Sequence, residues 1–548
     1  MQVQQQRSAS VRLGPSASSR LPLLPLRAPV LARRDLCRVH TAAPGDASPE
    51  VASPGVSFRE WNPDVGLQEA AKYLKENPYP KALASVDEGD GGLYQGKKAV
   101  VIGAGPAGSV AAMFLAKQGF RVEVFERRPE PKLDPVDTGR AYIIILIPRG
   151  QAALKELGIK MPADEEYKSL GTVRHSAKGK VSVSKEDGNV TFSRSSLAQW
   201  LIDTARQRYP GRILYYFNQS AEKVDFVSRK VKMATTGGFM SPGREAPFDL
   251  LVGADGVASP VRAALQGAWP DYSVEVDDSG REYKVYGGLR GDIEPKEFEG
   301  RKGTSLHLWT SNTDAFTSFT AHSNPDGTYS GTFSLKTGGF KALQTPAQYQ
   351  AFLADKFVGI PKEWCSEAAT QLAEGPANPA GKRVRVSHMY GPSCVLLGDA
   401  AHAVTPVFGQ GANSALESCL VLNKCLTEAQ GDLAKVPPAF DAARLADAHA
   451  LCELDRKAYS FFRRKGPLDP DFLQLLSHVI LGTILSKIVP FLYGSKPKLL
   501  QLGSGIPYSS ITRAVERDSK IALVLVLAGL VFLAVKLTKF FAARAVGV

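Results

Sequence analysis

Cysteine is scarce in this chain, with six among 548 residues, at positions 37, 365, 394, 419, 425 and 452. None forms a CxxC pair and none has metal-ligand spacing, which excludes a disulfide scaffold and argues against a bound metal; free thiols in a reducing compartment are expected. Acid is missing from the first 34 residues, where six arginines and several serines stand. That composition also explains much of the net charge of +13: residues 1–44 carry seven arginines against Asp35 alone. The remaining body is only mildly basic, so a solvated surface is expected and no nucleic-acid partner. At 44% apolar and 22% charged residues the chain is globular, and too long for one core.

An Arg-rich, Ser-containing, acid-poor leader without an apolar core is the pattern of an organelle transit peptide, placed here over residues 1–43. Its Ser, Ala and Pro bias directs it to the chloroplast, with the mitochondrion as the alternative. Residues 44–97, rich in Pro, Gly, Asp and Ala, read as a linker. Long apolar runs are otherwise absent until Ile521–Val535. At about 1.5 Å per residue that run is short of the roughly 30 Å hydrocarbon core of a bilayer. Lys536 and Lys539 can snorkel outward and let Leu537, Phe540 and Phe541 complete a membrane helix over 521–541. The earlier run Phe472–Tyr493 is interrupted by His478 and Lys487 and reads as a packed or interfacial helix.

Four punctuated strands carry the chemistry. Lys98-Ala-Val-Val-Ile leads into Gly103-Ala-Gly105-Pro106-Ala107-Gly108 and then an apolar helix. In that pattern Gly103 makes the tight turn, Gly105 admits a pyrophosphate, and Gly108 allows close helix–strand packing. A second strand ends in Glu126-Arg127, placed to take ribose hydroxyls. A third buried run ends in Asp255-Gly256 before Pro260. The fourth, Val395-Leu-Leu-Gly398-Asp399, is followed by Pro406 and by Gly409-Gln410-Gly411-Ala412-Asn413 at the head of another helix. The positive end of that helix suits the anionic edge of a reduced flavin. His402 reads as structural, because a flavin carries its own chemistry. No second Gly-x-Gly-x-x-Gly exists, so a nicotinamide cofactor visits rather than occupying its own domain.

Together these stretches resemble the single-component FAD aromatic hydroxylases of the p-hydroxybenzoate hydroxylase fold, and within them the kynurenine 3-monooxygenase-like group. Thr138-Gly-Arg140-Ala-Tyr, Arg149-Gly-Gln-Ala-Ala and Ser193-Arg194-Ser-Ser-Leu support the similarity, which covers roughly residues 98–515. It implies an α/β fold: a Rossmann-type (GR2-like) FAD-binding domain interleaved with a mixed-sheet substrate domain, a helical C-terminal part and a single C-terminal membrane helix. The expected parts are FAD-binding segments at 98–265 and 385–430, the substrate sheet at 266–384 and helices at 431–512. The cofactor contacts it implies are Gly103, Gly105, Pro106, Ala107, Gly108, Glu126, Arg127, Arg140, Arg194, Asp255, Gly256, Gly398, Asp399, Pro406, Gly409, Gln410, Gly411, Ala412 and Asn413. No catalytic side chain is singled out and no metal is expected.

The implied reaction uses NADPH to reduce FAD and O₂ to hydroxylate an aromatic or other electron-rich small molecule. The substrate positions depart from the group. Thr172 or Arg174 falls near the arginine that holds the kynurenine carboxylate, no tyrosine falls at its partner position, and Ala458 replaces an expected Asn. Arg174 and Tyr493 remain as candidate substrate contacts, and these departures point away from kynurenine itself. Two alternatives are a flavin enzyme acting on a membrane-soluble quinone or isoprenoid, and a non-enzymatic membrane-tethered flavoprotein.

Overall fold

The computed structural model describes residues 92–131, 143–162, 167–236, 243–311, 316–324, 326–463 and 469–545. All of them belong to one unit, Asn62–Val548. The proposed leader, most of the linker and Arg140 lie outside the described residues. The linker's last residues are part of the core: Tyr94 stacks on Phe120 with ring centroids 4.8 Å apart, and its hydroxyl donates to the Leu426 carbonyl at 2.8 Å.

A six-stranded sheet runs in the order Tyr390–Gly391, Cys394–Leu396, Leu250–Gly253, Lys98–Ile102, Arg121–Phe125, Ile213–Tyr216. Its pairs are parallel except the short edge strand Tyr390–Gly391. Parallel strands are covered on both faces, which is why the central ones read as unbroken apolar runs rather than alternating ones. Val100, Val101, Leu250, Leu251, Val395 and Leu396 are fully buried. Helix Pro106–Lys117 supplies one cover through a continuous buried run from Gly108 to Ala116.

A seven-stranded mixed sheet has the order Asn378–Pro379, Arg281–Leu289, Tyr329–Lys336, Ser318–Ser323, Thr304–Thr310, Ser169–His175, Val181–Lys185. Trp309, Phe319 and Phe333 point from one face into a core shared with Tyr349, Leu353, Trp364 and Leu372 of helices Pro346–Lys356 and Lys362–Glu374. The period of two sends the alternate residues to the other face. There Leu308 lies opposite Thr320 and Arg174, Thr320 opposite Thr332, and Leu306 opposite Thr172.

This sheet corrects the expected domain limits. Strands Ser169–His175 and Val181–Lys185 come from within 98–265 yet pair with Thr304–Thr310 and with each other. Val274–Asp278 pairs with Lys382–Val386 outside both large sheets, although both had been assigned by sequence position. Local apolar pattern cannot say which sheet a strand joins.

The C-terminal part packs Val436–Arg463, Pro470–Ile488 and Tyr508–Ala545 around Leu451, Leu454, Leu475, Tyr508, Ile511 and Val515. The last helix has no break at 512 or 521. One continuous helix leaves the core and carries Ile521, Leu523–Leu527, Leu530–Leu533 and Val535 fully out into the surroundings. Pro470–Ile488 is also long and apolar enough to span a membrane, but it is built into the bundle through Leu475, His478, Gly482 and Ser486.

Candidate functional site

In the six-stranded sheet Ile102 pairs with both Phe125 and Gly253, and Gly253 with Leu396. The strands leading to Gly103, Glu126, Asp255 and Asp399 are therefore neighbours that end at the same side. Residues as far apart as 103 and 399 are brought together at the carboxyl ends of adjacent parallel strands, where open α/β sheets bind ligands.

The glycines divide their work. A Cβ on Gly103 would lie 2.3 Å from the Ala254 carbonyl oxygen, and one on Gly108 would lie 1.9 Å from that of Gly103, so neither position admits a side chain. A Cβ on Gly105 would meet nothing within 4 Å; its space is open, as close approach of a ligand to backbone requires. Glu126 accepts from the Ala104 amide at 3.0 Å and from the Arg128 amide at 3.0 Å, which fixes its carboxylate over the glycine loop. Arg127 is exposed beside it.

Asp255 accepts from the Val261 amide at 3.0 Å and so holds the start of helix Pro260–Ala268. Its other oxygen, Oδ1, is buried and has no partner. Burial raises its pKa, opposed by hydrogen bonds from Ser259 and Val261. Gly256, at φ 80°, makes the turn that follows. Asp399 keeps solvent contact although protein surrounds it, the situation of a carboxylate in a groove. Desolvation raises its pKa and the charge of Arg194 lowers it, so Arg194 is brought within electrostatic reach of Asp399.

Gly398 precedes Asp399 at φ 57°, and Pro406–Phe408 forms a single turn ended by Gly409 at φ 61°. Helix Gly411–Glu428 then starts with no side-chain cap, as does Pro106–Lys117. Uncapped first turns present free N–H groups and a positive dipole end. Ala412 is half-buried in that first turn. Asn413 is fully buried: its amide donates to the Ile145 carbonyl at 2.9 Å and its oxygen accepts from the Ile147 amide at 3.1 Å. His402 is buried with Nε2 3.0 Å from the Ser418 hydroxyl, and burial lowers its pKa to about 3, so it stays neutral and structural.

A supporting network joins the Arg149 stretch and Gln410 to residues that no motif linked to them. Arg149 is buried, ion-pairs with Glu417, donates to the Leu502 carbonyl at 3.1 Å and stacks 4.0 Å over the Tyr508 ring. Arg444 pairs with the same Glu417 at 2.8 Å. The Tyr508 hydroxyl donates to Gln410 Oε1 at 2.9 Å. The glycine-rich loop is thereby tied to the first turn of the terminal helix. A buried arginine followed by Gly150, whose Cβ would lie 2.4 Å from Asn413 Oδ1, was the available signal.

The two substrate candidates do not share one wall by any contact of this structure. Arg174 is exposed on the seven-stranded sheet, opposite Leu308. Tyr493 donates to Asp518 at 3.3 Å and lies under Arg517 at 4.7 Å, at the base of the terminal helix.

The open space at Gly105, the unpartnered Asp255 oxygen and the two uncapped helices fit a dinucleotide. Similarity to known proteins agrees. Residues 97–277 match the family model described as FAD binding domain. The fold is similar to 2-methyl-3-hydroxypyridine-5-carboxylic acid oxygenase, with a TM-score of 0.53 and 21% identity over 70% of this chain and 96% of that one. It is likewise similar to a probable FAD-dependent monooxygenase from Pseudomonas aeruginosa, with a TM-score of 0.52 and 18% identity over 69% and 99%. The chain is thus an FAD-binding protein with the fold of these flavin oxygenases.

Among curated proteins, kynurenine 3-monooxygenase of Salinispora arenicola (strain CNS-205) is 32% identical over 381 residues, 67% of this chain and 80% of the relative. That of Legionella pneumophila (strain Corby) is 30% identical over 66% and 80%, and that of Sus scrofa 29% over 66% and 75%. The chain belongs to the kynurenine 3-monooxygenase family. It is a flavin-dependent oxidoreductase, and the quinone or isoprenoid alternative is not favoured.

Proposed function

We propose that FAD is held along the carboxyl edge of the six-stranded sheet and that NADPH is the visiting hydride donor. The observation that carries the FAD site is that the strands before Glu126 and Asp255 both pair with Lys98–Ile102, and the strand before Asp399 pairs with Leu250–Gly253, so all three carboxylates follow strands that end at one edge. When bound, the flavin supplies hydride acceptance and oxygen activation. The chain supplies the rest. Glu126 takes ribose hydroxyls, and the Gly105–Gly108 turn offers amides to the pyrophosphate. Asp399, neighboured by Arg194, takes hydroxyls of the linking chain. The free N-terminus of Gly411–Glu428 stabilises negative charge at the ring's edge.

For the substrate we propose a small aromatic compound bound against the open face of the seven-stranded sheet. Leu306 and Leu308 offer apolar contact there, with Thr172, Thr320 and Thr332 as neutral hydrogen-bonding neighbours. Arg174 lies on the same face opposite Leu308, and it is the missing tyrosine at the partner position and Ala458 in place of an asparagine that favour an aromatic compound other than kynurenine. NADPH oxidation and O₂ uptake by the purified yellow protein, with kynurenine and with carboxylate-free aromatic amines and phenols in parallel, test this. Stimulation by the neutral aromatics is expected; stimulation by kynurenine alone would assign the relatives' substrate instead. A colourless protein that takes up no added FAD would end the reading.

We also propose attachment to a plastid membrane. The exposed apolar helix beyond Lys520 supports the attachment, and the acid-free, Arg-rich leader supports the compartment. Import of the fused leader into isolated plastids, compared with mitochondria, tests the second part.

A further inference from the structure

The base of the terminal helix carries a feature that flavin chemistry does not use. A recess of about 390 Å³ is lined by Lys498, Ser510, Arg513, Ala514 and Arg517. A second, of about 250 Å³, follows along the same helix and is lined by Lys520, Ile521, Val524 and Leu525. Positions 510, 513, 517, 520, 521 and 524 are spaced by three or four and so share one helix face. That stripe passes from cations to bare apolar side chains within two turns.

Much of the cationic charge is left for a ligand. Among the described residues Arg513 donates to the Ser510 hydroxyl on its own helix at 3.3 Å and has no carboxylate in ion-pair contact. Arg517 is half-exposed while it donates to Asp518 at 2.8 Å. Asp518 is itself buried and also held by His478 at 2.7 Å. Glu516 is the other acid on this stretch, one residue from Arg517. The segments that pack on this helix also expose apolar side chains: Ile488 is 68% exposed, Phe491 82% and Leu500 61%. Large apolar side chains left open in a cluster mark a surface that meets something apolar.

We infer that Lys498, Ser510, Arg513 and Arg517 form a site for the phosphate headgroup of an anionic phospholipid, with its acyl chains lying along Ile521, Val524 and Leu525. The site rests on the membrane attachment proposed above. Cations at the edge of a bilayer attract anionic lipid, each by roughly a factor of five. The continuous helix adds a fixed position for the apolar part of the same molecule.

The test uses the full-length chain, reconstituted into vesicles of phosphatidylcholine alone or mixed with phosphatidylglycerol, then re-extracted and assayed for retained lipid. Wild type is compared with the double variant Lys498→Gln, Arg513→Gln, whose side chains support no other element. Both proteins are expected to float with either vesicle. Wild type is expected to retain phosphatidylglycerol over phosphatidylcholine, and the variant, short of two cations, to lose about 25-fold of that preference. Millimolar inorganic phosphate is expected to leave the retained lipid in place; displacement by it would assign a free-phosphate site and overturn the lipid assignment. Flotation without lipid preference, or a preference unchanged in the variant, overturns the headgroup site and leaves the anchor standing. Failure to float with neutral vesicles overturns the anchor and the site with it.

Discussion

The two helices that open onto the carboxyl edge of the six-stranded sheet start differently from helix Pro346–Lys356 against the seven-stranded sheet. Behind the six-stranded sheet, helices Pro106–Lys117 and Gly411–Glu428 begin without side-chain caps, and a buried Asp255 oxygen has no partner. Against the seven-stranded sheet, helix Pro346–Lys356 begins with a full capping box, Thr345 and Gln348 each satisfying the other's backbone. Within that sheet His175 lies 3.1 Å from His307 and stacks on Trp309 at 4.1 Å. A helix start that completes its own hydrogen bonds needs no ligand at that turn. One that leaves donors and a carboxylate open is completed by something else, and the difference locates the cofactor.

The comparison can be broken most sharply by substituting Gly108→Ala. Its Cβ would sit 1.9 Å from the Gly103 oxygen, and overpacking of this kind costs about 1–3 kcal/mol or more. Loss of flavin absorbance together with a lowered Tm is expected; a variant that keeps its flavin at wild-type stability would remove the turn from the site. Acid acts on both sheets, through His402 beside the six-stranded one, whose pKa burial lowers to about 3, and through two histidines of the other. Burial lowers the pKa of His175 to about 4 and of His322 to about 4. The unfolded chain then binds more protons than the folded one below pH 6.5, so stability falls as pH drops from about 6.5 towards 4, by up to about 3 kcal/mol for each histidine. Denaturant unfolding across that range should show the loss, and His322→Asn should flatten it.

Smaller effects sharpen the contrast. Tyr508→Phe removes the donor to Gln410 and should cost about 1–2 kcal/mol. Titration of apo-protein with FAD should show weaker binding, since the loop it anchors heads the uncapped helix. Thr345→Ala should cost a similar or slightly smaller amount, about 1 kcal/mol, with FAD affinity unchanged. Equal effects of the two substitutions on FAD affinity would show that the two regions do not differ as argued.

What could be read along the chain was what is local. Gly103, Gly105, Glu126, Asp255 and Asp399 announce themselves because a turn, a strand end and a helix start need particular residues within a few positions. The apolar run at Ile521–Val535 is equally plain. The support of the site was not legible: Arg149 meets Tyr508 across the chain, and no spacing rule links them. Nor could the pattern of Ser169–His175 reveal its pairing with Thr304–Thr310, since an alternating strand suits any half-buried sheet.

The sequence by itself determined the chemistry of the turns, because backbone conformation and helix dipoles act over a few residues. Packing across the chain settled which turns meet, which sheet each strand enters, and that the long apolar terminal helix begins at a tyrosine bonded to Gln410. Those are contacts between distant segments, set by packing and burial over the whole chain rather than by neighbouring residues.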